Sequence, residues 1–160
     1  MKLPSRLKHS KPPHTLPKEF IHSVGSLMGK QFKTKLEGST FLVYGNLYPN
    51  EVVVCISLNH PKSLRAASLH ISSDLPKKSV ETPDVVTDCL KDMVDVAASW
   101  FAQALEGGKG LDSVFDEMGE MKPDWQEIEW EKRTLFVKLN KDNYSLERAA
   151  NEFMKKAGID

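Results

Sequence analysis

The chain has 160 residues, 40% of them hydrophobic, and its 22 basic and 22 acidic side chains cancel to a formal net charge of zero. That supports one domain with an ordinary core, and it excludes the strongly basic footprint of a dedicated nucleic-acid-binding or membrane-surface protein. No stretch approaches the ~18 apolar residues of a membrane-spanning helix, and the first residues lack the apolar region of a secretory signal peptide.

Charge is nevertheless unevenly spread. Residues 1–16 contain Lys2, Arg6, Lys8 and Lys11 with no acid, interspersed with Pro4, Pro12 and Pro13. With few large apolar groups, such a segment buries too little surface to offset its ordering entropy. We expect a flexible, solvated basic tail at 1–16, followed by a single domain at 17–160.

Pro17–Gln31 reads as a helix with Phe20, Ile21, Val24, Leu27 and Met28 facing inward. Lys33–Glu37 is a candidate short strand. Thr40–Tyr48 and Glu51–Leu58 are β-rich runs separated by Pro49-Asn50, a turn pair that makes them an antiparallel hairpin. The continuous apolar run Val52–Ile56 predicts a strand buried on both faces. In Pro61–Ser72, Leu64, Ala67, Leu69 and Ile71 fit either period; Pro61, Asn59 as a cap and the Arg65-Ala66-Ala67 run favour a short helix.

Residues 82–106 give the strongest pattern. Val86, Cys89, Leu90, Met93, Val96, Ala97, Trp100 and Ala104 recur at three- and four-residue steps, so one helix face is buried. Thr82 suits the N-cap and Pro83 the first helical position, while Gly107-Gly108 suits the C-terminal cap. On the other side Asp88, Asp92, Asp95 and Ser99 stack along a single face. Neighbouring like charges cost a helix a few tenths of a kcal/mol; the stripe reads either as a solvated helix face, as charge runs commonly are, or as a face kept for a role outside the helix.

Residues 109–123 read as a loop with one or two helical turns, within a strongly acidic stretch. In Trp125–Glu131, Ile128 and Trp130 alternate with Glu127, Glu129 and Glu131, which predicts a strand with the two apolar residues opposite the glutamates. Leu135–Leu139 is a further strand, joined through Lys132-Arg133. Asn143 or Ser145 then caps a final helix with Leu146, Ala149, Ala150, Phe153 and Met154 inward. The order α-β-β-β-α-α-β-β-α predicts an α+β domain in which a largely antiparallel sheet packs against long helices.

From about Phe20 to Leu139 this order resembles the CheC/CheX/FliY family of chemotaxis phosphatases, most closely its CheX branch. The family pattern on the long helix is an acidic or Ser residue, Glu four positions on and Asn three positions after that. A proline follows about two dozen residues later. Asp88, Asp92, Asp95 and Pro123 stand at those places here. The resemblance implies a CheX/CheC-like fold and a cytoplasmic two-component signalling module whose partner is a phosphorylated CheY-like receiver domain. It also implies a homodimer paired through sheet edges, here the run Leu135–Leu139 and its neighbour, although Lys132, Arg133, Lys138 and Lys141 around it are charges of the kind that protect an edge from pairing; no cofactor is expected. The partner-binding face would comprise Asp88, Asp92, Asp95 and Ser99, and the catalytic positions would be Asp92, facing the receiver's lysine, and Asp95, in place of a water-orienting Asn.

Asp95 is the decisive departure from that pattern. Asn both donates and accepts a hydrogen bond, whereas an ionised Asp only accepts. Its charge about 4 Å from an attacked phosphoryl group, at an effective dielectric near 20, repels by about 4 kcal/mol, or roughly a thousandfold in rate. Aspartyl-phosphate phosphatase activity is therefore expected to be weak or absent. A non-catalytic adaptor or secretion-chaperone-like interaction module is the alternative; it requires broad apolar patches on an open sheet.

Other residues suggest less chemistry. Asp88, Asp92 and Asp95 could offer oxygen ligands to Mg²⁺ or Ca²⁺, but no further ligand or ordered loop accompanies them, and no metal site is expected. His9 and His14 fall in the tail, and His22 and His70 read as partly buried packing residues. Cys55 and Cys89 lie in apolar runs without Cys-x-x-Cys spacing and read as small hydrophobes in a reducing compartment. Gly107–Gly110 follows a helix instead of opening one, which is the wrong context for a phosphate cradle.

Overall fold

In the computed structural model, backbone pairing builds a six-stranded sheet in the order β1-β2-β3-β4-β6-β5, with every neighbouring pair antiparallel. The structure describes residues 5–32, 38–60, 65–75, 83–106, 125–131, 133–142 and 158. The elements are β1 (His14–Thr15), α1 (Lys18–Gln31), β2 (Thr40–Tyr48), β3 (Glu51–His60), β4 (Arg65–Asp74), α2 (Pro83–Glu106), β5 (Gln126–Trp130) and β6 (Arg133–Asp142). The chain is thus α+β, as expected. The expected strand at 33–37, cap at Thr82, Gly107-Gly108 turn, loop at 109–123 and final helix at 143–158 lie outside the described residues, Gly158 apart.

β2 and β3 form the expected hairpin, closed at the Tyr48↔Glu51 pair by Pro49-Asn50. Leu75 N–H donates to the Asn50 carbonyl at 2.8 Å, which ties the end of β4 to this turn. β3 lies between β2 and β4, and Val52, Val53, Val54 and Ile56 are all fully buried. Two covered faces explain a run without alternation.

The short helix expected within 61–72 requires a correction. Residues 61–64 lie outside the described residues, but Asn59 lies within β3 instead of capping a helix, and from Arg65 onward the chain is strand: β4 pairs with β3 from Arg65 and with β6 from Ala66. Ala67, Leu69 and Ile71 face the main core, while Ser68, His70 and Ser72 face the other side. The run fits both periods locally; two flanking strands decide for period two.

The main core lies between one sheet face and the two helices. α2 buries Val86, Cys89, Leu90, Met93, Val96, Ala97, Phe101 and Ala104 there, and α1 contributes Val24 and Met28. Leu27, expected to face inward, is 53% exposed instead, because the narrower α1 contact uses Phe20, Ile21, Val24 and Met28. β5 places half-buried Ile128 and Trp130 on the core side and leaves Glu127 and Glu129 exposed, as the alternation predicts. β6 is an interior strand, so the free sheet edge near the end of the chain belongs to β5 among the described residues.

Residues 5–16 are also not a loose tail. β1 pairs with β2 through His14↔Leu47 and Thr15↔Asn46, and Leu16 is 3% exposed in the main core. Gly45 makes room for it: a Cβ there would fall 2.7 Å from Leu16 Cγ. The segment orders because specific polar partners, described below, substitute for the apolar surface it lacks.

Candidate functional site

The aspartate stripe lies where the helical phase places it. Asp88 and Asp95 are exposed and Ser99 is half-buried. Asp92 is held by Arg133, whose Nε donates to Oδ2 at 3.0 Å; the two side chains are 21% and 28% exposed. Arg133 opens β6 directly after the β5–β6 turn, so pairing Trp130 with Arg133 brings the guanidinium over α2. Glu131 occupies that two-residue turn with φ 56°. Such a left-handed conformation is what a tight hairpin requires, and for a side chain other than glycine it costs on the order of 1–3 kcal/mol.

Asp88, Lys91, Asp92, Glu131 and Arg133 together line an open cleft of about 640 Å³. Asp95 and Ser99 continue the stripe along α2 and do not line it. The cleft carries both signs of charge, so it can meet a cation with Asp88 and an anion with Lys91. Lys91 and Arg133 were not marked by sequence reasoning: Lys91 interrupts the stripe, and Arg133 comes from a distant hairpin. Among the described residues no three His, Cys, Asp or Glu side chains are grouped to hold a metal ion.

The second sheet face holds a more buried cluster. Glu51, the first residue of β3, is 0% exposed. Its carboxylate accepts from the backbone N–H groups of Arg6 (2.9 Å) and Leu7 (3.4 Å), from Ser72 Oγ (2.5 Å), and from His9 Nε2 (2.6 Å). The His9 ring stacks on Tyr48 at a centroid separation of 3.7 Å. Arg6 pairs with Asp74 and lies 3.8 Å from the Phe136 ring centroid. A carboxylate accepts only, so His9 must present N–H at Nε2. The sequence held one overlooked signal: Glu51 is an acid at the head of a strand buried on both faces.

Further along that face Cys55 and His70 are cross-strand partners. Burial pushes the Cys55 thiol up to about 12 and raises that of Cys89; both are free, buried and suited to packing. His22, expected to be partly buried, is exposed. Burial, with Lys138 as the smaller cause, lowers His70 from 6.5 to about 4. The unfolded chain therefore takes up this proton near pH 6.5 and the native chain only near pH 4. The stability carried by neutral His70 is complete above that window, declines with acid through it and is gone below it. The difference corresponds to roughly 3 kcal/mol. Denaturant unfolding across the window should show this loss, and His70→Gln should show a smaller one. Equal slopes in the two proteins would rule His70 out as the source.

Comparison with family models, with curated protein sequences and with solved structures gives no match. No helix among the described residues is long and apolar enough to cross a membrane.

Proposed function

We propose that the chain is a CheX-like signalling module that docks a phosphorylated receiver domain on the outward side of α2, with acyl-phosphate hydrolysis weak or absent. The observation that carries this reading is the cleft between α2 and the β5–β6 turn, where exposed Asp88 stands beside Lys91 and the Asp92–Arg133 pair. Asp88 and Asp95 meet a lysine-bearing rim, and Lys91 meets the phosphoryl group. Asp92 is the position the family pattern assigns to the receiver's lysine; here its charge is already matched by Arg133, which opposes the catalytic version. A secretion-chaperone-like surface is less well supported, because Leu27 and Leu42 are the large apolar residues exposed among those described. Two buried free thiols suit a reducing, cytoplasmic setting. A homodimer of this module would have only the β5 edge available among the described strands near the end of the chain, and exposed Glu127 and Glu129 there guard against direct strand pairing, so a monomer is the better supported state.

Titration calorimetry against receiver domains, with and without a phosphoryl mimic, tests docking. We expect state-dependent binding that weakens at least about tenfold in Asp88→Lys/Asp95→Lys, since each reversal turns an attraction into a repulsion. Equal binding of both receiver states, or no binding, would reject the proposal. In acyl-phosphate decay assays, Asp95→Asn should raise hydrolysis, because it removes a repelling charge and restores a donor. Strong wild-type hydrolysis that falls in Asp95→Asn would instead make Asp95 a working catalytic residue.

A further inference from the structure

We propose that the second sheet face, around Glu51, is a recognition groove for an extended peptide segment bearing Arg and, three residues on, His, and that residues 5–13 occupy it as an internal ligand. The groove has the chemistry of a binding site. Its floor aligns Tyr48, Glu51 and Asp74 across β2, β3 and β4, with Ser72 and Phe136 beside them. It offers two carboxylates and two aromatic rings to a segment with cations and free N–H groups.

The occupant is read as a peptide ligand is read. Backbone N–H groups of Arg6 and Leu7 reach Glu51, giving affinity without regard to side chain. Two side chains give identity: the Arg6 guanidinium between Asp74 and Phe136, and the His9 ring between Glu51 and Tyr48. This division matches extended-peptide recognition, in which main-chain bonds hold and pockets select. With the segment in place the Glu51 carboxylate is fully buried and its acceptor capacity is met by the segment's own donors.

The internal ligand is held at Arg6 and His9 but sparsely covered between and after these anchors, which makes exchange with a partner's segment feasible. Lys8, Ser10, Lys11 and Pro12 are exposed between and after the anchors. An open cavity of about 680 Å³ remains where the segment passes Tyr48. Pro12 and Pro13 have no N–H to donate, and β1 adds a pairing of only two residues. Regions with few buried apolar contacts open at low free energy.

The test uses the full chain and a fluorescent synthetic peptide spanning Lys2–Thr15. In Arg6→Ala/His9→Ala the internal segment should release: hydrogen exchange at the amides of residues 6 and 7 should accelerate at least tenfold while β3 and β4 stay protected. That variant should bind the peptide at least tenfold more tightly than wild type by fluorescence anisotropy. The same peptide carrying both alanines should not bind. Should the variant fail to fold, excess peptide added to wild type should displace the internal segment and accelerate exchange at residues 6 and 7. The proposal is overturned if the segment stays protected in the folded variant and the peptide does not bind. It is equally overturned if the alanine peptide binds as well as the native one, or if excess peptide leaves wild-type exchange unchanged where only that arm can be read.

Discussion

Glu51→Ala should destabilise the protein by about 3–5 kcal/mol, because four donors lose their shared acceptor at once. The carboxylate is 0% exposed and accepts four hydrogen bonds, two of them from side chains. Alanine leaves the His9 ring, the Ser72 hydroxyl and two backbone N–H groups without their acceptor, and each buried orphan costs about 1–3 kcal/mol unless water replaces it. Glu51→Gln should cost less, because its amide oxygen still serves part of the set while its NH2 opposes the rest. Urea unfolding measures both, and for a chain of this size the alanine change should lower the melting temperature by on the order of 10 °C. A loss within about 0.5 kcal/mol, typical of an exposed site, would mean that the N-terminal segment is not held by this carboxylate. Coupling between Glu51→Gln and His9→Ala should be clearly non-additive, since the two side chains share one bond.

Phe101→Ala should be comparably severe, at about 3–5 kcal/mol. Phe101 is 0% exposed. Its ring meets Phe41 of β2 edge to face at 5.1 Å and lies 5.2 Å from the ring of Trp100. Truncation both removes apolar burial and leaves a void between α2 and the sheet, where the packed surroundings collapse only partly. Phe101→Leu should lose less because it fills most of the space. Calorimetric unfolding of the two variants gives the comparison. Equal, small losses would place the ring outside the helix–sheet contact.

Much of the fold follows from local pattern. The 3.6-residue period of 83–106 is strong enough to fix both the buried face of α2 and the opposite direction of Asp88 and Asp95. Pro49-Asn50 between two β-rich runs fixes a hairpin, because few other conformations suit that pair. The alternation in Gln126–Trp130 fixes which side of β5 faces the core. In each case the information lies within a dozen or so residues, and burial of one face rewards one phase over all others.

What local pattern left open was decided by partners distant in the chain. Residues 65–74 became a strand because β3 and β6 flank them, and no count of apolar positions within the run contains those neighbours. Arg133 reaches Asp92 across 41 positions of sequence, so no local reading of α2 could show that Asp92 is already paired. The basic segment shows the same effect most clearly. By composition Ser5–Pro13 lacks the apolar surface to order itself, and the sequence alone accordingly determined only its charge. The tertiary structure supplied a buried carboxylate 42 residues from His9. Charged hydrogen bonds there do what apolar burial could not: they offset the entropy of holding the segment in place.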